Sequence, residues 1–114
     1  MTVTPADTAR ALGSGDVDVL GSPRLIALCE EAAVRAVANS LAAGSTTVGM
    51  RIQFDHLQPT AIGVDVTAEA VLERIDGRRL VFTVSAEDPG GLVAAGKIIR
   101  VLVDVERFMG KCGN

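Results

Sequence analysis

The spacing of hydrophobic residues changes near residue 45. Before it, Leu25, Ile26, Leu28, Cys29, Ala32, Ala33, Val34, Ala36, Val37 and Leu41 follow a helical period and cover most of the circumference. A helix apolar on so many sides is one enclosed by other structure. Ser22-Pro23 marks its start, with Ser22 as the N-cap and Pro23 at the first helical position, where its missing N–H costs nothing. Gly44 suits the turn that ends it. After residue 45 the period is two. A strand from about Thr46 to Leu57 places Val48, Met50, Ile52, Phe54 and His56 on one face. A second, from about Val64 to Ile75, turns Val64, Val66, Ala68, Ala70 and Leu72 inward. Asp76-Gly77 is a hairpin signal. A third strand, about Arg78 to Glu87, alternates Leu80, Phe82, Val84 and Ala86 with polar residues, and Pro89-Gly90-Gly91 turns the chain into a fourth, about Leu92 to Asp104. The opening residues read as irregular, with room for a short strand at Thr2–Thr4. The expected plan is α+β, one long central helix wrapped by an antiparallel β-sheet.

Composition sharpens this picture. A chain of 114 residues is expected to form a single domain over residues 1–114. It is 48% hydrophobic with only three aromatic residues, so aliphatic surface is abundant for so small a domain. Part of it is expected to be buried between subunits, as a homodimer or a dimer of dimers. The net charge is −3 and the basic residues are scattered, so nucleic-acid binding has no electrostatic support. No apolar run is long enough to span a membrane, and the first twenty residues lack a signal-peptide pattern. A cytoplasmic location is therefore expected. Cys29 and Cys112 match no disulfide or metal spacing, and a single histidine argues against a zinc site. No metal and no bound cofactor are expected.

Few residues can carry chemistry. Glu31 has Arg35 four positions on, which reads as a surface ion pair worth roughly 0.2–0.5 kcal/mol. Glu30 differs: Ile26, Ala27, Ala33 and Val34 surround it at helical spacing, so its carboxylate either snorkels out or is retained for a purpose. His56 lies on the apolar parity of its strand. A lone histidine there is more often structural than catalytic, but its strand is expected to cover the helix surface that holds Glu30. An acid and an imidazole in apolar surroundings can be tuned for acid–base work. Ser22, about two turns before Glu30, could hydrogen-bond that carboxylate or a water, at a helix end whose N–H groups favour a developing oxyanion. Gly49 removes a side chain where a backbone must come close, or marks a bulge. Cys29 on an apolar helix face lacks an activating neighbour for nucleophilic work. There is no G-x-S-x-G elbow, phosphate loop or dinucleotide fingerprint.

Four segments carry a resemblance: "GSGDVDVLGSPRLIALCEEAAVRAV", "TTVGMRIQFDHLQPTAIG", "VTAEAVLERIDGRRLVFTVSAED" and "IIRVLVDVERF". Together, from Asp7 to Phe108, they resemble the fluoroacetyl-CoA thioesterase-like branch of the hot-dog-fold thioesterase superfamily. The resemblance implies a hot-dog fold and hydrolysis of an acyl-CoA to a carboxylate and free CoA, with CoA entering only as part of the substrate. It implies Ser22, Glu30 and His56 as the catalytic set, Gly49 as the residue whose backbone meets the thioester carbonyl, and Arg100 near the CoA-binding surface. The chain departs from the family in having Ser22 where threonine is usual and Lys97-Ile98 where a Thr-His pair is common. It also has no aromatic residue among its first 22, so fluoroacetyl specificity is not expected to carry over. The rival expectations are an enoyl-CoA hydratase-type hot-dog enzyme and a non-catalytic acyl-CoA-binding module.

Overall fold

The change of period corresponds to the boundary between a helix and a sheet. The computed structural model describes residues 1–112. A short helix α1 (Ala9–Leu12) precedes the long helix α2 (Ser22–Val37), and strands β1 (Ser45–His56), β2 (Thr67–Asp76), β3 (Arg79–Asp88) and β4 (Gly91–Asp104) follow, closed by the short helix α3 (Val105–Gly110). The strands form one antiparallel sheet in the order β1-β4-β3-β2. α2 lies on one face of it, which is the α+β plan expected from the periodicity and the hot-dog fold implied by the resemblance. Among the described residues no helix is long and apolar enough to cross a membrane.

The core is the stripe Leu25, Leu28, Cys29, Ala33 and Val37 of α2 against Leu80, Phe82, Val84 and Ala86 of β3, Val93, Ala94 and Ile98 of β4, and Val66 before β2. Phe82, Leu25 and Ile98 are fully buried. The inward set read for β3 is therefore the observed one, and Ala68, Ala70 and Leu72 pack against its edge. The opening is more ordered than its sequence suggests. Val3 is buried, Thr2 bridges Asp65, and Thr8 caps α1 by accepting from the Ala11 N–H at 3.1 Å.

Three local readings are corrected. α2 stops at Val37 rather than near Gly44, giving way to a 3₁₀ turn at Ala38–Ser40. Asn39 and Ser40 compete with helical backbone bonding and favour such a turn. The N-cap is Gly21, not Ser22: the Gly21 carbonyl accepts from Arg24 and Leu25, and Ser22 is the first helical residue. Gly21 also lies so close to α1 that a Cβ there would come within 3.1 Å of the Ala9 backbone. The third correction concerns β1. Its register against β4 slips between Gly49 and Arg51, so Met50 is a bulge residue, exposed by 45%. A bulge inserts one residue and resets which side chains face inward. Ile52, Phe54 and His56 keep the predicted face, but beyond the bulge Thr47 and Gly49 take the inner side in place of Val48 and Met50.

Candidate active site

Ser22, Ile26, Glu30 and Val34 recur every four residues and form a second stripe on α2, beside the buried one. β1 and β4 supply the residues opposite it. Because of the bulge, Gly49 and His56 both face the helix although they are seven residues apart. A flat strand would send them to opposite sides.

At the start of α2 the Ser22 hydroxyl and His56 Nδ1 are 2.8 Å apart. This is where the Ser22 hydroxyl goes, rather than to its own helix cap or to Glu30. The other ring nitrogen, Nε2, is buried and is the one such side-chain atom among the described residues without a hydrogen-bond partner. The two nitrogens are linked through the tautomer. If Ser22 donates to Nδ1, Nε2 carries the proton; if Nδ1 donates to Ser22, Nε2 presents a lone pair. An orphaned buried polar atom costs about 1–3 kcal/mol, so it marks a place where an outside group can be received. Val19, Ser22, His56, Leu57, Gln58 and Pro59 line a cavity of about 310 Å³ here. The loop after His56 is pinned: Leu57 donates to the Val93 carbonyl at 2.7 Å, and buried Thr60 donates to Asp88 at 2.8 Å.

Two turns further along α2, about 12 Å at helical rise, Glu30 meets Arg100. Arg100 donates from one terminal nitrogen to Glu30 Oε2 at 3.0 Å. Its Nε donates to the Thr47 hydroxyl at 2.9 Å and its other terminal nitrogen to the Thr47 carbonyl at 2.8 Å. The guanidinium is thus spent on three fixed acceptors, and its residue is only 7% exposed. Gly49 pairs with Arg100 across the strands, and a Cβ on it would lie 3.0 Å from Glu30 Oε2 and 3.6 Å from Arg100. The missing side chain is what lets the carboxylate lie against the strand. Ala27, Glu30, Glu31, Val34, Arg35 and Arg100 line an open cavity of about 420 Å³.

The candidate residues therefore form two pairs on one face, Ser22 with His56 and Glu30 with Arg100 over Gly49. The structure records no hydrogen bond between Glu30 and either Ser22 or His56. Thr47 and the Thr60–Asp88 clamp were not singled out from sequence. Both depend on cross-strand register, which no local pattern encodes, although Thr47 sits two residues before Gly49. Glu31 does not pair with Arg35; it lies 3.4 Å from Arg24, seven residues and about two turns earlier. Burial pushes the Cys29 thiol up from 9.0 to about 11, away from the thiolate a nucleophile needs. Among the described residues no three His, Cys, Asp or Glu side chains converge on a metal position.

Comparison with known proteins agrees in fold and in extent. The model of the family described as fluoroacetyl-CoA-specific thioesterase matches residues 3–106. A fluoroacetyl-CoA thioesterase of Streptantibioticus cattleyicolor is 34% identical over 94 residues, covering 82% of this chain and 68% of its own. A crystal structure of a variant of the fluoroacetyl-CoA-specific thioesterase FlK with fluoroacetate and CoA superposes with a TM-score of 0.92 at 32% identity, covering 97% of this chain and 91% of that one. A hot-dog-like protein from Thermanaerovibrio acidaminovorans gives 0.86 at 27% identity, covering 100% and 87%.

Proposed function

We propose, from the premise that this chain belongs to the fluoroacetyl-CoA-specific thioesterase family and is a thioester hydrolase, that it cleaves acyl-CoA esters through Ser22, Glu30 and His56. The observation that carries the reading is the divided histidine. His56 Nδ1 is engaged by Ser22 at 2.8 Å, while buried Nε2 has no partner. That is the arrangement a proton-transfer group needs, one nitrogen oriented and the other available.

Glu30 supplies the attacking chemistry. Its carboxylate either adds to the thioester carbonyl, expelling CoA thiolate and leaving an anhydride that water opens, or takes a proton from the water that attacks. Both routes break the C–S bond, form a carboxylic acid and return the carboxylate. Arg100, held by Thr47, keeps one oxygen of Glu30 in place. His56 Nε2–H delivers the proton to the departing sulfur, and Ser22 holds the ring in the tautomer that can do so. N–H groups near Gly49 and at the start of α2 receive the oxyanion, each such donor being worth about 2.7–4 kcal/mol where measured in other enzymes.

The functional unit is a homodimer formed across β1. β1 is an edge strand of 12 residues, and a long unpaired edge is a template for pairing. Met50 and Ile52 on it are exposed by 45% and 40%, and Val34 on the second stripe of α2 is exposed by 40%. The helix read as apolar all round is thus covered on one side only, and a second copy would cover the other. Fluoroacetyl specificity is not carried over from the relatives, since the first 22 residues hold no aromatic side chain to close over the Ser22–His56 cavity. Thiol release from a panel of short, long and aryl acyl-CoAs tests the reading. It predicts release of one CoA per carboxylate formed with at least one ester; tight retention of intact ester without turnover would overturn it.

A further inference from the structure

The sheet has a second face, turned away from α2, which the site does not use. Leu80, Phe82, Val84 and Ala86 of β3 point to the core, so Arg79, Val81, Thr83, Ser85 and Glu87 point outward. The register then orders this face in rows across the strands. Arg51, Ile99, Val81 and Arg74 form one row, Gln53, Lys97, Thr83 and Val71 the next, and Asp55, Ala95, Ser85 and Glu69 the third. Arg79 lies one row beyond the first and Glu87 one row beyond the third. Residues of the first two rows line a shallow cavity of about 150 Å³. Cations are thus gathered at one end of the face and carboxylates at the other. A bulge sets this separation: β2 slips between Leu72 and Arg74, so Arg74 rather than Glu73 stands in register with Val81. Asp76, in the row of Arg79, meets Arg74 at 2.7 Å in an exposed pair of little strength. Among the described residues no ion pair engages Arg51, Arg79, Lys97, Asp55, Glu69 or Glu87.

Such a face is complementary to a second copy of itself. A twofold axis lying in the face, across the strands at the level of Lys97 and Thr83, reverses the order of the rows. Arg51 then stands over Asp55, Arg74 over Glu69 and Arg79 over Glu87, and the symmetry forms each pair twice. A twofold axis along the strands would instead set cations on cations, so the charge order selects one orientation. Between the charged positions lie Val81, Ile99, Ala95 and Ser85, with Val71 exposed by 48% on the axis row. Stacked sheets pack about 10 Å apart with strands within about 30° of each other, a gap that paired arginine and glutamate side chains span. Lys97 opposes the contact, because it meets its own copy at the axis; its long stem lets the ammonium lean away toward the acidic rows. Strand spacing and rise give the face roughly 600 Å² per chain. Two chains joined across β1 present twice that, above the roughly 800 Å² per partner of a stable interface.

We infer that the outer face of the sheet docks a second copy of this chain through that twofold axis, turning the pair joined across β1 into a tetramer. The hydrolase reading is not needed for this, and the β1 contact is a separate one. The test is the mass in solution, by sedimentation equilibrium, of the parent, an acid-faced variant Arg74→Glu/Arg79→Glu and a base-faced variant Glu69→Arg/Glu87→Arg. Each variant alone is expected at half the mass of the parent, with an unfolding midpoint near it, since all four side chains are exposed. Mixing the two variants should restore the parent's mass, because every altered row again meets its opposite. In the unaltered chain, about 1 M salt, where charges are screened beyond about 3 Å, should weaken the association at least about tenfold. The halving separates the two contacts: it takes a tetramer to a dimer if β1 pairs, and a dimer to a monomer if it does not. Variants that keep the parent's mass would overturn the inference, as would a parent no heavier than the variants, which would leave the face to a partner of other chemistry. A mixture that stays at half mass would contradict the twofold arrangement.

Discussion

Two stripes run side by side along α2 and do opposite work. Leu25, Leu28, Cys29, Ala33 and Val37 are buried against β3, β4 and the start of β2. Ser22, Ile26, Glu30 and Val34 are one helical step away, on the side of β1 and the end of β4, and Ser22, Glu30 and Val34 border open cavities. The first stripe is interchangeable in principle: apolar residues of similar volume would hold it. The second is not, because its two polar side chains are each matched to a particular partner, Ser22 to His56 and Glu30 to Arg100. The difference teaches where to look in a helix that reads as apolar all round. A carboxylate set among apolar neighbours at helical spacing, as Glu30 is, marks the side that the sheet does not close.

The comparison can be broken by asking whether each stripe fails in its own way. His56→Ala should lower kcat about 10²–10³-fold in a thiol-release assay, with little change in the thermal midpoint. Leu25→Ala should do the reverse, costing about 2–5 kcal/mol of stability in denaturant unfolding through the cavity it leaves. Folded Leu25→Ala protein should keep its turnover. Gly49→Ala sharpens the contrast further. The new methyl would press on the end of the flexible Glu30 side chain at 3.0 Å, so the fold should persist while kcat falls about tenfold or more. Ser22→Thr keeps the hydroxyl that meets His56 and should stay within about tenfold of the parent, whereas Ser22→Ala should fall below it. The smallest effect is chemical. A thiol reagent should label exposed Cys112 promptly and buried Cys29 only on unfolding. The raised Cys29 pKa has a matching consequence: its neutral thiol favours the folded state, and that contribution fades as pH climbs from 9.0 towards about 11.

Much of the fold was legible because burial and periodicity coincide. The alternation Leu80, Phe82, Val84, Ala86 and the hairpin at Asp76-Gly77 lead directly to β2 and β3. β1 was read half correctly, since its period breaks at Met50, and a bulge is a property of pairing rather than of composition. The site was legible in its parts. The isolation of Glu30 among apolar neighbours and the parity of His56 could be read locally. That Ser22 would turn to His56, and Arg100 to Glu30, could not, because each bond joins elements 34 or 70 residues apart. Before the structure, Arg100 rested on resemblance alone. Its three hydrogen bonds now give it a physical role in orienting the carboxylate.

The most direct test of the second stripe is the rate of acyl-CoA hydrolysis by Glu30→Gln, measured as thiol release beside its unfolding curve. The substitution keeps shape and Arg100 contact but removes the charge that attacks or accepts a proton. A loss of about 10³-fold or more in kcat, with stability near that of the parent, is the predicted result. Turnover within a few-fold of the parent in a folded Glu30→Gln protein would contradict the account.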